Sequence, residues 1–75
     1  MDSMHWGRRI KAFRKLKGYT QIQFAKKVGV SVSVMGEIER GMRNPPHDFL
    51  VKATQILEIS LEELQPELED QVQQV

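Results

Sequence analysis

The sequence predicts an all-α fold, a compact bundle of five short helices, and three observations lead to it. Apolar residues recur every three or four positions, and no segment alternates at period two for long enough to make a convincing strand. Residues suited to capping helix starts, Thr20, Ser31 and Ser60, stand just ahead of these runs. Glycine or proline falls where most of the runs stop.

The first helix is expected from about Met4 to Lys17, burying Trp6, Ile10, Phe13 and Leu16, with basic residues toward its C-terminal end and Gly18 as a left-handed terminator. The second follows Thr20, buries Phe24, Ala25 and Val28, and stops at Gly29. The third follows Ser31 and ends at Gly41, with Met35 and Ile38 one turn apart on its inward side. Pro45 and Pro46 then forbid helix before them and permit it after. The fourth helix begins near Pro46, carries Asp48 in its first turn, and turns Leu50, Ala53, Thr54 and Leu57 inward. Ile59 plugs the end of the core. Ser60-Leu61-Glu62-Glu63 has the spacing of a capping box, opening a fifth helix whose Leu61 and Leu64 close the core. Residues 1–65 therefore read as one domain. Residues 66–75 read as an acidic, glutamine-rich tail, frayed or a short helix, with Leu68, Val72 and Val75 spaced for one stripe.

A chain of 75 residues holds a single core, near the lower size at which helix packing alone sustains a fold. The absence of cysteine excludes a disulfide framework and a thiolate metal site, and suits a reducing cytosol. No apolar run approaches the roughly 18 residues of a membrane span, and Asp2, His5 and Arg8 interrupt any signal peptide, so a soluble, cytoplasmic protein is expected. His5 and His47 have no partners at metal-ligand spacing, so no metal or cofactor is expected. With no cysteine nucleophile, no Gly-rich phosphate loop and no triad, the chain is expected not to be an enzyme. The overall net charge of +1 conceals a division. Residues 1–43 carry ten Lys and Arg against three acidic residues, a net of +7, whereas residues 44–75 carry Lys52 against seven acidic residues, a net of −6. Such a field attracts a polyanion to one side and repels it from the other.

The second helix, the turn at Gly29 and the third helix make a bihelical corner that presents the third helix outward. At about 100° per residue, Val32, Ser33, Gly36, Glu37 and Arg40 fall in one arc of that helix, and Val34, Met35 and Ile38 lie opposite. Tyr19-Thr20-Gln21, Phe24-Ala25, Val28-Gly29-Val30-Ser31, Ile38-Glu39-Arg40-Gly41 and Arg43-Asn44-Pro45 closely resemble the pattern of the phage-repressor-like helix-turn-helix family called XRE. The resemblance extends upstream to Trp6-Gly7-Arg8-Arg9-Ile10 and Arg14, and downstream to Leu57 and Ile59-Ser60-Leu61-Glu62-Glu63-Leu64.

It implies a compact five-helix domain that sets its third helix in the DNA major groove, as a symmetric homodimer on a palindromic operator. The chain would be a sequence-specific double-stranded DNA-binding transcriptional regulator, most simply a repressor, and nucleoid-associated if bacterial. Val32, Ser33, Gly36 and Glu37 would then be the base-reading set. Gln21 matches a family position that grips a phosphate at a helix N-terminus, and Arg43 a loop position that also meets the backbone. Arg40, Lys17 and Lys26 add phosphate-binding charge. Arg14 and Glu39 match a structural ion pair tying the first helix to the third. Leu61, Leu64 and Leu68 are the expected dimerisation residues.

Two departures from the family pattern stand out. Its usual small Ala and terminating Gly on the fourth helix are here Thr54 and Glu58, and the reading face has no Asn, Gln or Lys to pair with bases. Glu37 is tolerable near phosphates only if it meets a cytosine amine or is neutralised by Arg40 or Arg43. The competing reading is a protein-interaction module or antitoxin that uses Val32, Val34 and the leucine-bearing tail.

Overall fold

The computed structural model describes residues 3–65 of the chain, and among them it contains only helices. In order these are α1 (Ser3–Leu16), α2 (Gln21–Val28), α3 (Val32–Glu39), α4 (His47–Leu57) and α5 (Leu61–Leu64). The expected tail at 66–75, and Leu68 within it, lie outside the described residues.

The helix ends are made by the residues that the spacing singled out. Thr20 accepts from the Gln23 amide through its hydroxyl while Gln23 Oε1 accepts from the Thr20 amide, closing a capping box at α2. Ser31 caps α3 through the Val34 amide, and Ser60 and Glu63 form a second capping box at α5. Gly29 ends α2 at φ 93°, a left-handed conformation that costs a residue with a Cβ about 1–2 kcal/mol. The same turn is made after α4 by Glu58, at φ 58°, the one described non-glycine residue with positive φ. Thus α4 closes without a glycine yet keeps the left-handed geometry that a glycine would supply more cheaply.

The helices bury one core. α1 lies on α3 and α5, α2 on α3 and α4, and α4 on α5. Between them sit Trp6, Ile10, Phe24, Ala25, Val28, Met35, Ile38, Phe49, Leu50, Ala53, Leu57 and Leu64. Phe13, Tyr19, Val30, Val34, Ile56 and Ile59 cover its edges.

Two expected core residues are placed otherwise. Leu16 is 76% exposed. The buried row of α1 runs Trp6, Ile10, Arg14, at intervals of four, and Leu16 lies about 120° round the helix from Ile10. Leu61 is also exposed, because Leu64 alone turns from the short α5 into the core. Gly7 explains how α1 reaches α3. A Cβ at that position would stand 2.4 Å from the Ile38 carbonyl oxygen and 2.5 Å from that of Glu39, so the two backbones meet where only a hydrogen fits.

Candidate nucleic-acid interface

The corner formed by α2 and α3 is held from behind by a buried polar clasp. Arg14 Nε donates to Glu39 Oε2 at 2.7 Å and Arg14 Nη2 to Glu39 Oε1 at 3.1 Å, a two-pronged ion pair between α1 and the last residue of α3. Both side chains are nearly inaccessible, at 7% and 2%. Arg14 Nη1 donates to the Tyr19 carbonyl at 2.9 Å, and Gln21 Nε2 donates to Glu39 Oε1 at 3.0 Å. No described buried side-chain nitrogen or oxygen lacks a partner. The clasp therefore joins α1, the turn before α2, the first residue of α2 and the end of α3 without an unsatisfied charge.

Gln21 stands at the N-terminus of α2, where the first amides have no acceptor within the helix and the helix dipole is positive. Its side chain is half-buried and committed on one side to Glu39, a contact that its position at a helix start gave no means of foreseeing. Lys17 and Lys26 are exposed on the same chain segment, and Lys27 reaches over the Tyr19 ring at 5.9 Å.

The outer arc of α3 presents Val32 and Ser33 to solvent, with Val32 42% exposed. Glu37 pairs with Arg43, whose Nη2 lies 2.8 Å from Glu37 Oε1. Of the two arginines that could neutralise that carboxylate, the loop residue does so. Gly36 is the exception within the arc. It is buried, and a Cβ there would stand 2.9 Å from Arg40 Nη1, so the Arg40 guanidinium lies over the glycine. Gly36, expected in the base-reading set, therefore has little surface of its own to present, since the surface at that point belongs to Arg40.

Of the expected dimerisation residues, Leu61 is 39% exposed but Leu64 is completely buried inside its own chain. Leu64 has no surface to offer a second copy, and its assignment to dimerisation is withdrawn. Trp6, Phe24 and Phe49 are all buried in the core, which leaves none of them as a base-stacking platform. One basic residue has a role that its spacing did not suggest. Arg9 Nε donates to the Leu64 carbonyl at 2.9 Å and Arg9 Nη2 to that of Glu63, satisfying the end of α5 from α1.

The chain matches the helix-turn-helix family model over residues 10–64. It is 58% identical over 66 residues to the uncharacterized HTH-type transcriptional regulator YazB of Bacillus subtilis, covering 88% of this chain and 96% of YazB. It is 42% identical over 59 residues to the HTH-type transcriptional regulator SinR of the same organism, covering 77% of this chain and 53% of SinR. The crystal structure of SinR, the master regulator for biofilm formation, in complex with DNA superposes with a TM-score of 0.73 at 42% identity, covering 79% of this chain and 95% of that one. The restriction-modification controller protein C.AhdI from Aeromonas hydrophila superposes with a TM-score of 0.80 at 33% identity, covering 85% and 97% of the two chains. Family match, relatives and fold agree with the clasped corner of α2 and α3, and this chain belongs to the XRE-type helix-turn-helix family of DNA-binding transcriptional regulators.

Proposed function

We propose that the chain represses transcription by occupying a palindromic duplex operator as a homodimer, with α3 in the major groove. The observation that carries this reading is the pairing of an outward arc on α3 with a buried clasp that fixes the start of α2 beside it. Phosphate contacts position a protein on DNA and base contacts specify the site. Gln21 and the first amides of α2 supply the former, joined by Arg43, Arg40, Lys17 and Lys26. Val32 offers only an apolar contact to a thymine methyl, Ser33 pairs with several bases, and Glu37 accepts from a cytosine amine. A face so poor in donors gives modest specificity, supplemented by the shape of the DNA between half-sites. Leu61 stands on the acidic end of the domain, where a second copy would set the two recognition helices about 34 to 36 Å apart.

Selection of binding sequences from a random duplex pool by the purified protein tests this reading. A palindromic consensus with thymine and cytosine at the positions facing Val32 and Glu37 supports it. Failure to enrich any duplex, or preferential retention of single-stranded RNA, refutes it.

A further inference from the structure

Arg40 adds to the charge that draws a polyanion toward α3, yet its side chain does not stand at the rim of that helix. Its backbone prolongs α3 by one residue, with φ −86° and ψ −1° and its amide donating to the Gly36 carbonyl at 3.0 Å, so Arg40 keeps its place on the helical wheel. With Val32 taken as the origin, Gly36 falls at about 40°, Arg40 at about 80°, Ser33 at about 100° and Glu37 at about 140°. Arg40 is therefore near the middle of the outward arc. A long side chain on a helix runs back toward the N-terminus, over the residue one turn earlier, and here that residue has no side chain. Arg40 Nη1, Cζ and Nη2 lie 2.9, 3.7 and 3.8 Å from the point where a Gly36 Cβ would stand. The guanidinium thus rests over bare backbone midway along α3, one turn from the exposed Val32 and Ser33.

Among the described residues this guanidinium enters no ion pair and no side-chain hydrogen bond, and the nearby Glu37 carboxylate is taken by Arg43 at 2.8 Å. Its N–H donors are open to a ligand. A helix with its side chains is about 10–12 Å across and the major groove about 12 Å wide, so a seated helix turns the middle of its outward arc to the base edges and its flanks and ends to the phosphates. Only guanine presents two acceptors, O6 and N7, side by side on that edge. Adenine sets a donor next to its N7, thymine offers one acceptor beside a methyl group, and cytosine offers a donor. A planar fork that can only donate is matched to guanine.

We propose that Arg40 is a base-reading residue directed at guanine, and that Gly36 is the position that admits it. The inference rests on the reading that α3 lies in the major groove. It gives the arc a two-pronged donor that Val32, Ser33 and Glu37 do not supply. It also gives Gly36 a purpose, since a glycine weakens a helix interior but leaves the space that any Cβ would take from the guanidinium.

Selection from a random duplex pool by the parent chain, Arg40→Ala, Arg40→Lys and Gly36→Ala, followed by affinity measurements on the parent consensus, tests this. The parent should require one guanine in each half-site, whose replacement by adenine weakens binding by about 5- to 150-fold, the range of one bidentate pair. Placing 7-deazaguanine there, which removes the N7 acceptor and leaves the protein untouched, should weaken the parent but not Arg40→Ala. Arg40→Ala should erase the guanine preference and leave the other consensus positions in place, and Arg40→Lys, which keeps the charge without the fork, should lose most of that preference. Gly36→Ala keeps every charge, so it should retain the parent's salt dependence while its preference for guanine falls. If Arg40→Ala weakened all duplexes alike and reduced the salt slope by about one, Arg40 would be a phosphate contact and the proposal would be overturned. Indifference of the parent to 7-deazaguanine would overturn it as well, and full guanine preference in Gly36→Ala would overturn the role given to the glycine. A parent consensus that survives Arg40→Ala intact refutes this assignment alone, whereas a parent that enriches no duplex refutes the major-groove reading and the assignment together.

Discussion

Two glycines inside helices, Gly7 and Gly36, should respond to the same substitution with opposite sign. Alanine in place of glycine in a helix interior is worth about 0.5–1 kcal/mol of stability, so propensity alone predicts a gain at both positions. At Gly7 the new Cβ would sit 2.4 Å from the Ile38 oxygen and 2.8 Å from the Glu39 carbonyl carbon, both backbone atoms. Ordinary carbon–oxygen contacts begin near about 3.3 Å, so α1 and α3 must part by nearly 1 Å. Overpacking of this kind costs about 1–3 kcal/mol, and the separation also stretches the Arg14–Glu39 hydrogen bonds at 2.7 and 3.1 Å. Losing part of a buried charged contact adds on the order of 1–2 kcal/mol, so Gly7→Ala should destabilise by about 2–3 kcal/mol net. At Gly36 the obstacle is the far end of the Arg40 side chain, which can swing aside, and Gly36→Ala should be neutral or stabilising by up to about 1 kcal/mol. For a domain of this size 1 kcal/mol moves the thermal midpoint by about 4–8 °C. Melting followed by circular dichroism should therefore show Gly7→Ala down by roughly 8 to 24 °C and Gly36→Ala level or higher. A Gly7→Ala midpoint at or above that of the parent chain would refute the claim that backbone contact, rather than helix propensity, decides this position.

Arg14→Ala leaves the Glu39 carboxylate buried with only Gln21 as a polar partner, and should cost on the order of 3 kcal/mol, read as loss of the urea midpoint with no change in site preference. Glu58→Gly should raise stability by about 1 kcal/mol, since it relieves the positive φ after α4, and an unchanged melting curve would show the strain to be negligible. Binding to duplex DNA should weaken with salt at a slope of about −0.9 per phosphate contacted, and Arg43→Ala should reduce that slope by about one while lowering affinity for all sequences alike. A consensus altered by Arg43→Ala in the selection experiment would place that residue on a base instead. Glu37→Gln should raise general affinity and move the preferred base from cytosine toward adenine, and if it changed neither, α3 would not present Glu37 to DNA.

Helix starts were legible because a cap is a local event: the hydroxyls of Thr20, Ser31 and Ser60 reach amides only three residues on. The buried faces of α2 and α3 were legible for a related reason, since Phe24, Ala25, Val28, Met35 and Ile38 sit at helical spacing inside short elements. Over the longer α1 the same reasoning failed at Leu16. There a charged residue, Arg14, occupies the inward row because Glu39 is waiting for it, and hydropathy cannot rank an arginine above a leucine. Gly7 did carry a signal, being a glycine inside a helix that needs no positive φ, and such glycines usually mark close packing. The α5 carbonyls bound by Arg9 lie more than fifty residues away in the chain, and no spacing rule joins them. Within the candidate interface, outward and inward sides of α3 could be separated by a helical wheel. The lie of Arg40 over Gly36 and of Arg43 against Glu37 could not, because both depend on side-chain conformation.

Glu39 links the two demands placed on this domain. Its Oε1 atom accepts from both Arg14 and Gln21, so the group that ties α1 to α3 also orients the side chain at the start of α2. An amide whose one N–H is held by a buried carboxylate loses little rotational freedom when its second N–H donates to a phosphate, and binding then costs less ordering entropy than it would with a free glutamine. The exposed pair of Glu37 and Arg43 is of the other kind. With side chains 35% and 53% accessible, it is worth at most about 1 kcal/mol, and a phosphate can draw Arg43 away at little cost. When that happens Glu37 is released among phosphates with its charge uncompensated, and a cytosine amine at the matching position becomes the means of satisfying it. On the proposed reading, a duplex lacking cytosine there would leave the carboxylate repelled, so a residue expected to weaken DNA binding in general would be one through which the arc on α3 discriminates between sites.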